Sequence, residues 1–178
     1  MKVAFHTING VGLGHVVRAV SLATEMRALV PGVKLLVLTN ARDTSRIAEA
    51  GLDFVKLPPR LSEPHADPGR ALTALPEPFE EAALVAALET FRPDLVVFDT
   101  HAPMRVARQV AAIGARAVLV LRELRPEALR SFVASAAPLA FDRIVVPHAP
   151  GDMDLAPLDG LPVVLAGPIV RPIRGDAP

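Results

Sequence analysis

The sequence predicts an α/β fold: a doubly wound, Rossmann-like domain built on a parallel sheet of about seven strands. Three observations predict it. Apolar strand-like runs alternate with helix-like segments almost to the end of the chain. Several of these runs are apolar throughout, such as Leu95-Val96-Val97-Phe98 and Ala117-Val118-Leu119-Val120-Leu121, the mark of strands covered by helices on both faces. The first run, Lys2 to Ile8, passes through the glycine-rich stretch Asn9-Gly10-Val11-Gly12-Leu13-Gly14-His15 into a segment of helical spacing, the order strand, turn, helix.

The elements follow in sequence. Ala19, Leu22, Ala23, Met26 and Leu29 recur at helical spacing and mark one face of the first helix. Val33 to Leu38 is the second strand, Asp43 to Ala50 a short helix with Asp43 as its N-cap, and Asp53 to Leu57 the third strand. Residues 58–76 hold Pro58, Pro59, Pro64, Pro68 and Pro76 without periodicity, and read as a long loop of the kind that carries function. Helical character returns over Glu77 to Phe91. The strand Leu95 to Phe98 then ends in Asp99-Thr100-His101, ahead of a helix over Pro103 to Ile113. Ala117 to Leu121 is the fifth strand, and Pro126 to Ala136 a helix with proline in its first turn. Asp142 to Val146 and Val163 to Ala166 complete the sheet. The domain spans 1–166, and 167–178, punctuated by Pro and Arg, reads as a linker leading away from it.

Composition narrows the function classes. With 178 residues, 51% of them hydrophobic and 21% charged, the chain is globular and large enough for a substantial core. Its formal net charge of zero argues against a nucleic-acid binder, which needs a cationic surplus to meet phosphates. There is no cysteine, so disulfides and thiolate metal sites are excluded and a reducing cytoplasm is compatible. No apolar run approaches the roughly 20 residues of a membrane span, and Met1-Lys2 leads straight into a strand where a signal peptide would need a longer apolar stretch. These features predict a cytoplasmic protein.

The glycine turn is the main chemical signal. A strand-to-helix turn aims free backbone N–H groups and the positive end of a helix dipole at its mouth, a place suited to an anion. It is not a dinucleotide fingerprint. Gly10, Gly12 and Gly14 give G-x-G-x-G, His15 stands where the third glycine of G-x-G-x-x-G belongs, and the second strand runs into Thr39-Asn40-Ala41-Arg42 without an acidic residue. No G-K-[ST] marks a phosphate loop either. His15 at the mouth is placed to take or give a proton near neutrality, or else simply to hydrogen-bond the turn. Arg18, three residues on, is a solvated arginine or a partner for an anionic ligand or a carboxylate.

Parallel sheets bind ligands beyond the carboxyl ends of their strands, near the point where strand order reverses. In the usual order the first and fourth strands are neighbours there, so His15 and Asp99 can meet. Asp99 then either caps the helix beginning after Ala102 or Pro103, or accepts a hydrogen bond from His15 and raises its basicity. His101 and Glu123, past the fourth and fifth strands, are further cleft candidates, whereas Arg122, Arg125 and Arg130 read as a solvated helix edge. No spacing among His6, His15, Asp99 and His101 specifies a metal site, and no cofactor motif is present.

The run Gly10-Val11-Gly12-Leu13-Gly14-His15-Val16-Val17-Arg18, followed by Ala19-Val20-Ser21-Leu22-Ala23, resembles the first turn and helix of GT-B glycosyltransferases, closest to the MurG-like group that contains the peptidoglycan N-acetylglucosaminyltransferase. Arg92 to Asp99, Gly114 to Val118, and Leu165-Ala166-Gly167-Pro168-Ile169-Val170-Arg171 are similar to later segments of that fold, the last to the passage between its two halves. The resemblance implies the N-terminal, acceptor-binding half of a nucleotide-sugar-dependent, inverting glycosyltransferase. It implies a nucleotide-sugar co-substrate, no metal, a sugar or lipid-linked acceptor, peripheral membrane contact with such an acceptor, and a donor-binding C-terminal domain or separate subunit. It also implies that His15 is the base, with Gly12 and Gly14 in its glycine-rich turn, and that Asp99 is its partner; Leu13, Arg18, His101 and Glu123 are read from their positions as further residues of the substrate cleft. Gly-Val-Gly-Leu-Gly-His stands where the peptidoglycan enzyme has Gly-Gly-Thr-Gly-Gly-His, a departure that bears on the lipid-linked acceptor. The Gly-x-Gly-His-x-x-Arg pattern equally resembles the UDP-sugar hydrolase of pseudaminic acid synthesis, in which the histidine would activate water. A non-catalytic binding subunit is the alternative from a different class.

Overall fold

In the computed structural model, which describes residues 1–8, 14–58, 78–135 and 137–169, seven strands form one sheet. They are β1 (Lys2–Thr7), β2 (Lys34–Thr39), β3 (Asp53–Lys56), β4 (Leu95–Asp99), β5 (Arg116–Val120), β6 (Arg143–Val146) and β7 (Val163–Leu165). Every pairing is parallel, in the order β3-β2-β1-β4-β5-β6-β7. Strand order therefore reverses between β1 and β4, where the ligand crevice of such a sheet lies.

Among the described residues five α-helices cover the sheet: α1 (Gly14–Leu29), α2 (Ser45–Glu49), α3 (Pro78–Phe91), α4 (Met104–Gln109) and α5 (Pro126–Ala134). Right-handed crossovers decide which face each one takes. From β1 the chain steps outward to β2 and β3, which puts α1 and α2 on one face. The steps back to β4 and on to β5 and β6 run the other way and put α3, α4 and α5 on the opposite face. Two apolar clusters follow. On the α1 face Val16, Ala19, Ala23 and Ile47 pack on Val3, Phe5, Leu35, Val37 and Val97. On the α3 face Leu84, Leu88, Val106, Ala107 and Leu129 pack on Ala4, Leu36, Leu38, Val96 and Phe98. Period-2 alternation along each strand thus assigns odd-numbered residues of β1, β2 and β4 to α1 and even-numbered ones to α3.

Several boundaries differ from the sequence expectation. Leu29 is 77% exposed, because it lies roughly 80° around the helix from Ala19 at about 100° per residue; Val16, Ala19 and Ala23 are the buried stripe. The short helix begins at Ser45 with Thr44 as N-cap, and Asp43 instead accepts the Ser45 N–H at 2.9 Å in an Asx-type turn. The expected helix over Pro103 to Ile113 tightens after Gln109 into a 3₁₀ turn, Val110–Ile113, closed by left-handed Gly114 at φ 77°. The helix beginning at Pro126 ends at Ala134. Full coverage of the strands fails at the edge: β3 is exposed along its length, with Phe54 and Val55 38% and 39% exposed. Gly10, Gly12 and Leu13 of the turn, most of the 58–76 loop, and the linker beyond Ile169 lie outside the described residues. Among the described residues no helix is long and apolar enough to cross a membrane.

Candidate active site at the carboxyl edge

The site assembles where β1 and β4 end side by side. Val97 and Asp99 share the α1 face of β4, and α1 begins at Gly14 over the same edge. Helical spacing carries His15 and Arg18 to one side of that helix, and both reach Asp99. His15 Nδ1 lies 2.8 Å from Asp99 Oδ2, and Arg18 Nη1 lies 2.6 Å from Asp99 Oδ1. The two carboxylate oxygens thus serve two different partners. Asp99 is only 4% exposed along its side chain, against 17% for His15 and 21% for Arg18. A carboxylate so placed needs charge-assisted hydrogen bonds to offset its lost hydration, and it has them.

This arrangement orients the imidazole. A carboxylate only accepts hydrogen bonds, so His15 donates through Nδ1–H and Nε2 is the ring nitrogen left to face a ligand. Asp99 contacts His15, and α4 is capped by Pro103 with no side-chain hydrogen bond. Arg18 likewise takes the carboxylate partner among its expected roles. Thr7 ends β1 on the same face, paired with Thr39 of β2, and its buried hydroxyl has no hydrogen-bond partner among the described residues.

The remaining candidates distribute more widely. Gly14 opens α1, and a Cβ built on it meets nothing within 4 Å; among the described residues, close packing does not account for this glycine. His101 lies half-buried in the loop after β4, its backbone N–H donating to the Asp99 carbonyl at 2.7 Å. Glu123 is exposed beyond β5, the strand on the far side of β4 from β1, and its backbone N–H donates to Nε2 of His148 at 3.1 Å. Among the described residues, no hydrogen bond or ion pair joins Glu123 to His15 or Asp99. Gly12 and Leu13 lie outside the described residues.

Two groups escaped the sequence reading. His148 follows β6 at the same carboxyl edge, and the rule that picked out Glu123 would have found it. On the α3 face, fully buried Glu80 accepts from the Asn40 side-chain amide at 3.3 Å. His6 is buried on that face of β1, its ring edge-on to Phe98 at 5.7 Å. The sheet thus separates His6 from the His15–Asp99 pair. Among the described residues no group of three or more His, Asp or Glu is placed to share a metal ion.

No protein-family model and no curated protein sequence matches the chain, but solved structures do. The glycotransferase of kitacinnamycin superposes with a TM-score of 0.68 at 17% identity, over 99% of this chain and 54% of its own. Spinosyn forosaminyltransferase SpnP gives 0.64 at 20%, over 93% of this chain and 50% of its own. MurG of Acinetobacter baumannii gives 0.56 at 10%, over 84% and 42%. The chain therefore has the glycosyltransferase-like fold of one Rossmann-like half of a GT-B protein, and it spans about half the length of these structures.

Proposed function

We propose that this chain is the N-terminal, acceptor-binding half of an inverting, nucleotide-sugar-dependent glycosyltransferase, with His15 as general base. The observation that carries the reading is the 2.8 Å contact of His15 with Asp99 at the switch point of the sheet. In the reaction, Nε2 of His15 takes the proton of an acceptor hydroxyl as its oxygen attacks the anomeric carbon of the sugar. The bond from that carbon to the nucleotide diphosphate breaks, the diphosphate leaves with the electron pair, and the configuration inverts. Asp99 stabilises the imidazolium formed on His15 through the Nδ1–H bond, as the third member of a triad does. Val11 to Arg18, with Gly12, Leu13 and Gly14, would form the phosphate or sugar edge of the cleft, and a second Rossmann-like half would bring the donor. Because the fold alone does not choose a nucleophile, water in place of an acceptor hydroxyl would make the same site a nucleotide-sugar hydrolase. The cysteine-free chain suits the cytoplasm.

The test is turnover of a panel of nucleotide sugars by the complete protein, with and without candidate acceptors. Acceptor-dependent turnover with an inverted product supports the transferase. Equal release of free sugar without acceptor identifies the hydrolase. The 178 residues alone are expected to turn over neither, and activity in this chain by itself would overturn the division into acceptor and donor halves.

A further inference from the structure

We infer that Arg18 and Thr100 form a clamp on Oδ1 of Asp99, making Arg18 a positioning residue for the His15 base and not a contact for the substrate. The inference rests on the base assignment above, but its first test does not need turnover. Arg18 Nη1 donates to Asp99 Oδ1 at 2.6 Å and to Thr100 Oγ1 at 3.3 Å. The Thr100 hydroxyl also lies 3.4 Å from the same Oδ1. One carboxylate oxygen is thereby held from two sides, and the carboxylate cannot turn about its χ2 axis without breaking a charge-assisted bond. Its other oxygen is then presented to His15 Nδ1.

The backbone beneath this clamp is costly. Thr100 has φ 64°, and His101 N–H donates to the Asp99 carbonyl at 2.7 Å across it. Positive central φ under such a three-residue bond belongs to the rare, strained form of γ-turn. For a β-branched residue this conformation is a genuine outlier, of the kind that persists where surrounding structure over-determines it and that clusters at functional sites. Here Thr100 N–H is tied to the Val120 carbonyl at 2.8 Å, fixing the turn to β5. The strained turn ends β4 and puts the hydroxyl back against Asp99. A solvated arginine would explain none of this. On the enclosing strands β1 and β2, the α1 face carries Val3, Phe5, Thr7, Leu35, Val37 and Thr39, so no charge there competes for Asp99.

The experiment compares Arg18→Met and Arg18→Lys. In the 178-residue chain with ¹⁵N-labelled histidine, the Nδ1–H proton of His15 is expected to be protected from exchange. The signal is assigned by its loss in His15→Gln. Arg18→Met should expose or broaden it, and Arg18→Lys, which keeps a charge able to reach Oδ1, should restore it. An unchanged signal in Arg18→Met overturns the clamp while leaving His15 free to be the base. In the complete protein Arg18→Met should lower kcat about 10-fold with KM little changed, the scale of losing a partner that orients a functional group. A raised KM at unchanged kcat would instead make Arg18 a substrate contact and overturn the inference. Should Arg18→Met fail to fold, the Thr100→Ala chain, which removes one side of the clamp, is read for the same proton; an unchanged signal there also counts against the proposal.

Discussion

The carboxyl edge of the sheet carries a polar cluster on each face, and the two differ in access. On the α1 face Asp99 is buried, but His15 and Arg18 remain 17% and 21% exposed. On the α3 face both His6 and Glu80 are 0% exposed, and Glu80 bonds to buried Asn40. A group that exchanges protons with a ligand must be reachable by it, whereas a fully enclosed polar pair can only hold elements together. Under the proposed function, the same edge of one sheet would serve chemistry on one face and anchorage on the other. Glu80, in the first turn of α3, ties that helix to the end of β2; Asp99, at the end of β4, leads through His15 to the outside.

The most direct way to break this contrast is at His15. If the α1 face is the chemical one, His15→Ala in the complete protein should cut turnover by about 10²–10⁴-fold, the contribution of a general base. Near-normal kcat with an intact fold would leave His15 structural and erase the distinction. Asp99→Asn should lower turnover on a similar scale, up to about 10⁴-fold as for the aspartate of a triad, because the amide keeps the size of the carboxylate but not its charge. Steady-state kinetics with KM resolved from kcat check both.

Glu80 sharpens the contrast from the opposite side. Glu80→Ala removes one buried hydrogen bond, that from the Asn40 amide, and should cost about 1 kcal/mol of stability. Chemical denaturation measures it. The folded fraction should keep the kcat of the parent protein, and a loss of kcat comparable with that of Asp99→Asn would mean that both faces serve the reaction.

Much of the α1 face was legible in the sequence, for a topological reason. Continuous apolar strands separated by helices leave few orders for a parallel sheet, and the usual one sets the first strand beside the fourth. The ends of those strands, His15 past one and Asp99 on the other, then had to be neighbours. What Arg18 binds was not legible, because ligand and carboxylate lie in the same direction from α1 and only the rotation of the helix decides. The Thr100 turn was hidden as well, since threonine gives no sign of positive φ. Glu80 was missed because a carboxylate in a helix's first turn is an ordinary partner for the helix dipole and reads as solvated. Its burial depends on where α3 lands on the sheet, which the non-periodic stretch before it does not reveal. Leu29 shows the converse: spacing alone kept it on a face that the helix geometry turns away from the core.

Asp43 supplies the smallest effect and the baseline for the other two carboxylates. It stands at the same edge, just past β2, but is fully exposed. The Ser45 backbone N–H, and then the Ser45 side chain, lower its pKa below the ordinary 3.8, with Arg46 and Lys56 adding to the shift. A carboxyl held low in the folded state binds fewer protons than in the unfolded one, so its contribution is present above the unfolded value and fades as pH falls through the folded one. Asp43→Asn should therefore leave stability near neutral pH slightly reduced, and the difference from the parent should shrink on acidification below about pH 4. Thermal melts of the two proteins across pH 2 to 7 would show the curves converging at the acid end. A difference that grows with acidification would contradict the Ser45 contact, and one as large as that of Glu80→Ala would mean that position along the edge matters more than burial.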